Sequence, residues 1–501
     1  MEQRTHQAEN MALHVADQHR YSISPALDQE RKSKLGQFMT PSRVARFMAS
    51  KFSELPNEVR LLDPGAGAGA LTAAFIEEAC SREEKPEQID VTAYEVDPDF
   101  AAALKKTFGE CERQCQAVGI KFTSRVLTDD FILRSAESLA SQKGDFNCVI
   151  TNPPYAKIRS NSKWRKALRT LGIETVNMYS AFIAVALKHL ADEGELVAIT
   201  PRSFCNGSYY EPFRRQLIIS SALLSLHVFG SRRSAFKDDN VLQENLIYHL
   251  RKGADQPVCV NISTNEGPDD TLMHSGTVPF QDVIRPGDPH AFIRLSITDE
   301  DASLAAKVQG LPCTLADLEV KVSTGRVVDF RAKEHLRKMP SDDTVPLIYP
   351  VHFNDGGVRW PVPEFKKFNA LANNEDTQNL MVPEGIYVLI KRFSAKEEKR
   401  RLVAIIYTPS DVEGGAVGFE NHLNYIHNNG SGLTIEFAKG MAAFINSTAA
   451  DQYFRQFSGH TQVNATDLRN MHYPSREELE ALGRQDLQSQ DQIDAAVNAL
   501  L

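Results

Sequence analysis

Long hydrophobic runs are missing from this sequence, and none of its apolar stretches is long enough to cross a bilayer. The first residues, "MEQRTHQAEN", are polar and lack the apolar core of a secretory signal. These two absences argue against a membrane or secreted protein, so we expect a cytoplasmic chain. The composition, 42% hydrophobic and 24% charged, is that of an ordinary globular protein.

Cysteine is sparse and scattered, and positive charge is not in excess. Of the seven cysteines only Cys111 and Cys115 lie near one another, and no second pair completes a zinc site. We therefore predict free thiols and no metal centre. The net charge of −9 excludes a chain coated in positive charge, although a local basic face can still bind phosphate.

The chain of 501 residues is too long for one core and predicts two or three domains. From Arg60 to Arg251, strand patterns alternate with helical ones, beginning with "VRLLDPG" and "LTAAFIEEAC". Such alternation predicts an α/β fold with a mostly parallel, Rossmann-like sheet covered by helices on both faces. Ligands of these sheets bind outside the carboxyl ends of the strands.

After about residue 300 the pattern changes to short strands separated by turns such as "IHNNGSG". This change predicts a second domain of the α+β type, with the linker between Gly253 and Pro289. The predicted organisation is an N-terminal arm at 1–30 with no assigned chemistry, a catalytic domain at 31–253, a second domain at 290–475 and a helical tail at 476–501.

A glycine turn follows the first strand in "LLDPGAGAGAL". Gly65, Gly67 and Gly69 would let the backbone turn tightly and let a ligand approach it closely. The spacing is Gly-x-Gly-x-Gly rather than the Gly-x-Gly-x-x-Gly of dinucleotide sites, which favours a ligand other than NAD. A tight strand-to-helix connection without a ligand is the simpler alternative.

The second strand ends in "AYEVDP", where Glu95 is placed to accept both ribose hydroxyls of an adenosine. Alternation makes Asp97 the less suitable carboxylate. A cofactor with a ribose and no pyrophosphate fits these two motifs, and S-adenosyl-L-methionine is such a cofactor. Upstream, "GQFMTPSRVARFMASKF" predicts a packing helix with Thr40 as its N-cap and Pro41 at its first position.

The stretch "NCVITNPPYAKIRS" runs the fourth strand into Asn152, Pro153, Pro154 and Tyr155, at the same edge of the sheet as the glycine turn. Proline has no N–H, so the prolines and the Asn152 side chain offer acceptors suited to an NH2 group. Two acceptors on an exocyclic amine would draw its nitrogen toward a nucleophilic, tetrahedral geometry in the transition state. Tyr155 offers a face for base stacking, and a base in a duplex must first rotate out of the helix.

Taken in order, "GQFMTP", "DPGAGAGAL", "YEVDP", "TDDF" and "NPPY" resemble the N6-adenine DNA methyltransferases of bacterial restriction-modification systems with the TaqI and PstI layout. The resemblance covers about residues 30 to 475, strongly to residue 250 and in outline afterwards. It implies a class I methyltransferase domain followed by a DNA target-recognition domain. It also implies transfer of a methyl group from S-adenosyl-L-methionine to N6 of a flipped-out adenine in a specific double-stranded DNA sequence.

The resemblance implies roles for individual residues as well. The cofactor contacts would be Thr40, Asp63, Gly65, Gly67, Glu95, Asp130 and Phe131, with Thr40 at the methionine end and the last two at the adenine. The catalytic residues would be Asn152, Pro153, Pro154, Tyr155 and, on the other face of the base, Phe236. Read without the family, Asp129 and Asp130 form an acidic turn and Phe236 covers a sheet edge.

Basic residues in one loop and in the second domain are candidates for DNA contact, although solvated loops have the same composition. They are Arg232, Arg233, Lys237, Arg326, Arg331, Lys391 and Arg392. We expect double-stranded DNA as the partner, a cognate restriction endonuclease that acts separately, and a monomeric enzyme.

Three other functions use or tolerate the same motif. Methylation of RNA bases or of a protein glutamine amide poses the same chemical problem, and a DNA-binding subunit can keep the motif without catalysing. Cytosine N4 is also an exocyclic amine, but its enzymes more often begin the motif with Ser. Asn152 therefore favours adenine.

Overall fold

The computed structural model describes residues 11–23, 39–138, 144–229, 244–265, 273–295, 298–394, 398–409, 415–458 and 462–501. The chain divides into two compact units, Met1–Ile297 and Thr298–Leu501.

The first unit is built on a sheet of nine strands. They are β1 (Glu58–Pro64), β2 (Gln88–Tyr94), β3 (Lys121–Leu127), β4 (Phe146–Thr151), β5 (Leu190–Pro201), β6 (Ser221–Phe229), β7 (Asn245–Lys252), β8 (Cys259–Asn265) and β9 (His274–Pro279). Their order is β3-β2-β1-β4-β5-β7-β6-β8-β9. The first five strands pair in parallel, and β7 runs antiparallel between β5 and β6. The carboxyl ends of β1, β2 and β4 therefore meet at one edge.

Helices cover both faces of this sheet. They are α1 (Met11–Ile23), α2 (Ser42–Ala49), α3 (Ala70–Ser81), α4 (Pro98–Ala117), α5 (Phe131–Ser138), α6 (Lys163–Thr170), α7 (Met178–His189), α8 (Glu211–Ser220) and α9 (Phe280–Val283). Neighbouring strand residues point to opposite sides, so Leu62 and Val149 pack in one core while Leu61 and Ile150 pack in the other. The predicted Rossmann-like α/β fold class is confirmed.

The segment expected to be a linker, Gly253 to Pro289, is instead part of the first unit. The strands β8 and β9 extend the sheet at its edge, with β8 parallel to β6. Within β8, Val260 and Ile262 are buried in the core. Composition predicted the linker wrongly because alternating apolar residues in a short edge strand are easily hidden among Gly, Pro and Asp.

The arm at 1–30 was assigned no chemistry, and its described part, α1, packs on α3 and α4. Ala12, Leu13 and Ala16 are buried there. This helix therefore belongs to the core of the first unit.

The second unit combines short strands with helices, as predicted for an α+β region. Its strands are β10 (Lys321–Thr324), β11 (Leu336–Arg337), β12 (Thr344–Ile348), β13 (Phe353–Asn354), β14 (Gly357–Val358), β15 (Ala370–Ala372), β16 (Met381–Pro383), β17 (Tyr387–Lys391), β18 (Ala404–Tyr407), β19 (Ala416–Phe419) and β20 (Leu423–His427). They form sheets ordered β10-β20-β17-β18, β11-β15-β12-β19-β16 and β13-β14. Tyr387, Tyr407, Phe419 and Tyr425 pack as one aromatic cluster.

The helices of the second unit are α10 (Asp299–Gln309), α11 (Ile435–Ile445), α12 (Thr448–Phe457), α13 (Ala465–Arg469), α14 (Arg476–Gly483) and α15 (Gln490–Asn498). The segment predicted as a helical tail is helical but is not an appendage, because α14 crosses α11 in direct backbone contact. A Cβ atom added to Gly440 would lie 1.8 Å from the Leu479 carbonyl oxygen, and one added to Gly483 would lie 1.8 Å from the Glu436 carbonyl oxygen. Only glycine permits this approach.

Candidate active site

A cavity of about 200 Å³ opens at the carboxyl edge of the sheet of the first unit. Most of the predicted cofactor residues and part of the predicted catalytic motif line this one cavity. They are Thr40, Gly65, Gly67, Glu95, Asp130, Phe131, Asn152 and Pro154. Residues from five separate segments of the chain are therefore brought together at the position where parallel sheets bind ligands.

The glycine turn has the left-handed backbone conformation that its glycines permit. Gly65 and Gly67 have φ angles of 80° and 57°, in the left-handed region that other residues avoid. The N–H groups of Gly65 and Ala66 both donate to the Tyr94 carbonyl, which ties the turn to the end of β2. A Cβ atom at Gly67 would lie 3.0 Å from Met39 Sδ, so a side chain there would require Met39 to shift.

Glu95 is held rigidly with both carboxylate oxygens facing backbone N–H groups. Its Oε2 accepts from Gly67 N and its Oε1 from Asp97 N, each at 2.8 Å. Burial raises the pKa of this carboxyl. Asp97 has a different task, because its side chain accepts from Asp99 N and Phe100 N and caps α4.

Asp63, expected to line the cofactor site, lies behind the turn and does not line the cavity. Its side chain is fully buried, and its Oδ2 accepts from the Thr72 hydroxyl at 2.7 Å in α3. Burial raises the pKa of the Asp63 carboxyl to about 7, the Thr72 bond lowers it in part, and the charge of Glu95 raises it further.

The pair Asp130 and Phe131 begins α5 at the end of the cavity near Glu95. Asp130 Oδ1 accepts from the N–H groups of Ile132 and Leu133, and its Oδ2 accepts from Trp164 Nε1 at 2.7 Å. Phe131 packs edge-on against Tyr94, with ring centroids 5.0 Å apart. An aromatic wall and a fixed carboxylate therefore flank this end of the cavity.

Asn152 and Thr40 also line the cavity and contact each other. Asn152 Nδ2 donates to Thr40 Oγ1 at 3.1 Å, which orients the amide. The prediction that Thr40 caps the helix was wrong: α2 begins at Ser42, and Pro41 occupies the N-cap position without a side-chain bond. Thr40 therefore does not cap α2. It lines the cavity, and its hydroxyl accepts the bond from Asn152.

The remaining residues of the motif lie beside an aromatic group. Pro153 is buried and Pro154 lies on the cavity wall. Tyr155 packs edge-on against Tyr179, with ring centroids 6.2 Å apart, and its hydroxyl donates to the Ile199 carbonyl at 3.4 Å. Burial raises the pKa of Tyr155, so its ring stays neutral.

These residues fit S-adenosyl-L-methionine as the group bound in the cavity. The glycine turn leaves its backbone open to close approach, and Glu95 offers two oriented oxygens for a ribose. Asp130, Phe131 and Tyr94 provide a polar group and flat apolar surfaces for an adenine. The donor set is therefore that of an adenosine site without a pyrophosphate-binding loop.

Sequence reasoning missed several residues that line the cavity. They are Ala16, Arg20, Met39, Trp164, Met178 and Phe182. Trp164 lies 34 positions from Asp130, its hydrogen-bond partner, and Arg20 comes from the arm that was given no role. No local spacing signals either residue.

The predicted DNA-contact residues of the second unit differ in how they are held. Arg326 is exposed and donates to the carbonyls of Asn379 and Met381, while Arg331 is exposed with its guanidinium 5.4 Å from the centre of the Phe330 ring.

The other two basic side chains of that set are bonded within the unit. Lys391 pairs with Glu398 at 2.7 Å, and Arg392 donates to the Asn421 carbonyl and to Gln462.

Phe236, Arg232, Arg233 and Lys237 lie outside the described residues.

Metal clusters and membrane-spanning helices are both absent from the described ranges. Within them no cluster of three or more His, Cys, Asp or Glu side chains is arranged to hold a metal ion. No helix there combines the length and apolar character needed to cross a membrane. All seven cysteines are free thiols.

Comparisons with known proteins relate the whole chain to one group of enzymes. Residues 79–236 match the family model of the Eco57I restriction-modification methylase. The chain is 46% identical over 473 residues to the type II methyltransferase M.PstI of Providencia stuartii, covering 94% of this chain and 93% of the relative. It is 44% identical over 503 residues to M.BsuBI of Bacillus subtilis, covering 98% of each.

Solved structures are more distant. The methyltransferase subunit of a type I restriction-modification system from Streptococcus thermophilus matches with a TM-score of 0.36 and 16% identity, covering 50% of this chain and 57% of that one.

Proposed function

The chain belongs to the type II methyltransferases of restriction-modification systems, and from this premise we propose that it methylates the exocyclic N6 of adenine in a specific double-stranded DNA sequence. The methyl donor in this proposal is S-adenosyl-L-methionine. The modification would protect DNA from a restriction endonuclease of the same specificity. The fold of the first unit is that of the class I methyltransferases.

One observation carries the proposal: the adenosine-type site and the Asn152 motif share a single cavity. Glu95 and the glycine turn line this cavity together with Asn152 and Pro154, and a Cβ atom added to Gly65 would lie 4.0 Å from the backbone oxygen of Asn152 and 4.0 Å from Pro154 Cδ. A methyl group can pass directly between two substrates only if the donor and acceptor atoms meet. A shared cavity provides that meeting point without a covalent intermediate on the protein.

When bound, the cofactor would supply an electrophilic methyl group on its sulfonium. The chain itself would then have to make a poor nucleophile competent, because the lone pair of an adenine amine is delocalised into the ring. The Asn152 side-chain carbonyl and the backbone carbonyl of Pro153 are acceptors suited to the two N6 hydrogens. Their interaction grows as the nitrogen becomes tetrahedral, so they stabilise the transition state more than the ground state.

The hydrogen bond from Asn152 Nδ2 to Thr40 Oγ1 supports this assignment of the amide oxygen. With its NH2 engaged by Thr40, the amide presents its carbonyl oxygen to the substrate and not a donor. The neutral ring of Tyr155 would offer a stacking surface for a base rotated out of the duplex.

The proposal is tested by incubating the full-length protein with tritiated S-adenosyl-L-methionine and, separately, duplex DNA, ribosomal RNA and a release factor. Asn152→Ala removes the acceptor and is expected to lower kcat by about 100-fold or more. Asn161→Ala, which changes an exposed asparagine of the same loop, is the matched control and should retain activity.

Label recovered from DNA as N6-methyladenine, and lost in Asn152→Ala alone, would support the proposal. Label recovered as N4-methylcytosine would show that the methylated base is cytosine and not adenine, with DNA still the substrate. Label only in RNA or in the release factor would overturn the DNA assignment. Full activity of Asn152→Ala would show that the Asn152 amide takes no part in the reaction.

A further inference from the structure

The helix α1 of the N-terminal arm forms part of the wall of the cavity, through Ala16 and Arg20. It is fastened there by apolar packing of Ala12, Leu13 and Ala16 and by a polar link to α2. In that link the Ser42 hydroxyl donates to Asp17 Oδ2. The wall is therefore contributed by a segment that lies outside every motif of the sequence.

Arg20 is a buried cation at this wall, with 6% of its surface exposed. Its Nε lies 3.3 Å from Asp17 Oδ1, which is in turn joined to Ser42 at the start of α2. Thr40, two residues before Ser42, bonds Asn152. This chain of contacts links Arg20 to the segment that carries Thr40.

The cavity is lined by charges of both signs. Among the described residues that line it, the acidic side chains are Glu95, Asp129 and Asp130, and the basic ones are Arg20 and Lys157. Lys157 is exposed to solvent, whereas Arg20 is buried. A guanidinium presents planar, paired donors that suit a carboxylate. Among these described residues, Arg20 is therefore the buried cation that suits an anionic group of a ligand.

We propose that Arg20 binds the carboxylate of the methionine moiety of S-adenosyl-L-methionine, which makes the N-terminal helix part of the cofactor site. The inference rests on the proposed function, because it needs this cofactor in the cavity with its ribose at Glu95. Asp17 acts as a positioning residue that holds the guanidinium through their ion pair. Arg20 lies in the last turn of α1, where the helix dipole also favours a cation.

The test measures binding by titration calorimetry without any turnover. The ligands are S-adenosylhomocysteine, which carries the carboxylate, and its decarboxylated analogue, which keeps the ammonium and the adenosine. Arg20→Met preserves length and removes the charge. The substitution should weaken the binding of S-adenosylhomocysteine by about 10- to 100-fold, the range of a charge-assisted bond. It should leave the affinity for the decarboxylated analogue unchanged.

Two further variants separate binding from packing. Arg20→Lys should recover part of the lost affinity, because it restores the charge without the planar fork. Gln18→Ala, on the exposed side of the same helix, should bind both ligands as the wild type does. Melting temperatures of all variants establish that α1 remains in place.

Unchanged binding of S-adenosylhomocysteine to Arg20→Met would overturn the inference. Equal weakening of both ligands would also overturn it, because it would assign Arg20 a structural role. A wild-type protein that binds neither S-adenosylhomocysteine nor S-adenosyl-L-methionine would instead overturn the proposed function, and the inference with it.

Discussion

Asn152 shows how a single side chain can depend on a distant one for its orientation. An amide has one donor end and one acceptor end of nearly equal size, and only the acceptor end suits an NH2 substrate. Thr40, which lies 112 positions earlier in the chain, bonds the donor end. In this arrangement the Thr40 hydroxyl acts as the acceptor, so the atom of the amide that it bonds is the nitrogen and not the carbonyl oxygen.

Asp63 leads to a prediction about pH. Its pKa is raised from 3.8 to about 7 in the fold, chiefly by burial. Between these values the folded protein holds a proton that the unfolded chain has released, so Asp63 lowers stability as pH rises from about 4 to about 7. Asp63→Asn abolishes this titration and keeps an acceptor for Thr72. The melting temperature of Asp63→Asn minus that of the wild type should therefore increase as the pH rises.

Scanning calorimetry of both proteins at about pH 5 and about pH 8 measures this gain, which corresponds to a few kcal/mol at most. Effects of titrating groups that do not interact with Asp63 cancel in the difference. The same melting-temperature difference at both pH values would contradict the raised pKa.

At this residue scale the positions of Asn152 and Glu95 at one cavity could be predicted because each follows a strand whose pattern is plain in the sequence. The position of the strand end places the side chain at the ligand edge. Asp63 could not be placed in the same way. Whether a carboxylate next to a glycine turn faces the ligand or the following helix depends on the turn's φ angles, and these depend on tertiary contacts with Tyr94.

The crossing of α11 and α14 gives a prediction at the scale of elements. A methyl group at Gly440 would overlap the Leu479 carbonyl, so the helices would have to move apart. Gly440→Ala should destabilise the second unit by about 1 to 3 kcal/mol or more through overpacking. Limited proteolysis and thermal unfolding of the full chain, with fragments assigned by mass, would detect this loss.

Gly109→Ala is the matched control, because Gly109 lies in the helix α4 with no atom within 4 Å of its added Cβ. That substitution should stabilise the first unit slightly, by up to about 1 kcal/mol, through helix propensity. A Gly440→Ala protein as stable as the wild type would show that the two helices are not held in backbone contact.

Elements with a strong period were predictable, and weakly patterned ones were not. The helices α3, α4 and α7 agree with the sequence interpretation because long apolar periodicity defines them. The residues of β8 and β9 were predicted to be a linker, because a few alternating apolar residues among Gly, Pro and Asp indicate a strand only weakly. The pairing of α14 with α11 is also invisible locally, because it depends on two glycines 43 positions apart.

At the scale of the whole molecule, a chain with a net charge of −9 needs a local basic surface to bind a polyanion. Arg331 is a candidate because it is exposed. If it contacts a phosphate, Arg331→Ala should weaken binding to any duplex and reduce the slope of log K against log salt by about 1. Fluorescence anisotropy with a random-sequence duplex over a range of salt concentrations measures that slope.

Arg113→Ala is the control for this experiment. Arg113 is 67% exposed on α4 of the first unit and pairs with Glu110. Its removal should leave the salt dependence unchanged. A slope that falls equally in both variants would indicate a general change of charge and not a phosphate contact at Arg331.

The order of the motifs was enough to predict the class of the first unit, and near-full-length relatives confirm the family. The surface that reads a sequence could not be predicted, because exposed arginines and solvated loops have the same composition. Three of the four basic residues proposed in the second unit, Arg326, Lys391 and Arg392, form hydrogen bonds within it through their side chains.

The shared cavity at the carboxyl edge has a consequence for inhibitor chemistry. Glu95, from the proposed cofactor site, and Asn152, from the proposed acceptor site, line the same cavity of about 200 Å³. A bisubstrate compound, in which the ribose of one adenosine is tethered through a short amine to the N6 of a second adenine, would occupy both walls at once. Its second contact would form at a high effective concentration, so its affinity would exceed that of either half alone.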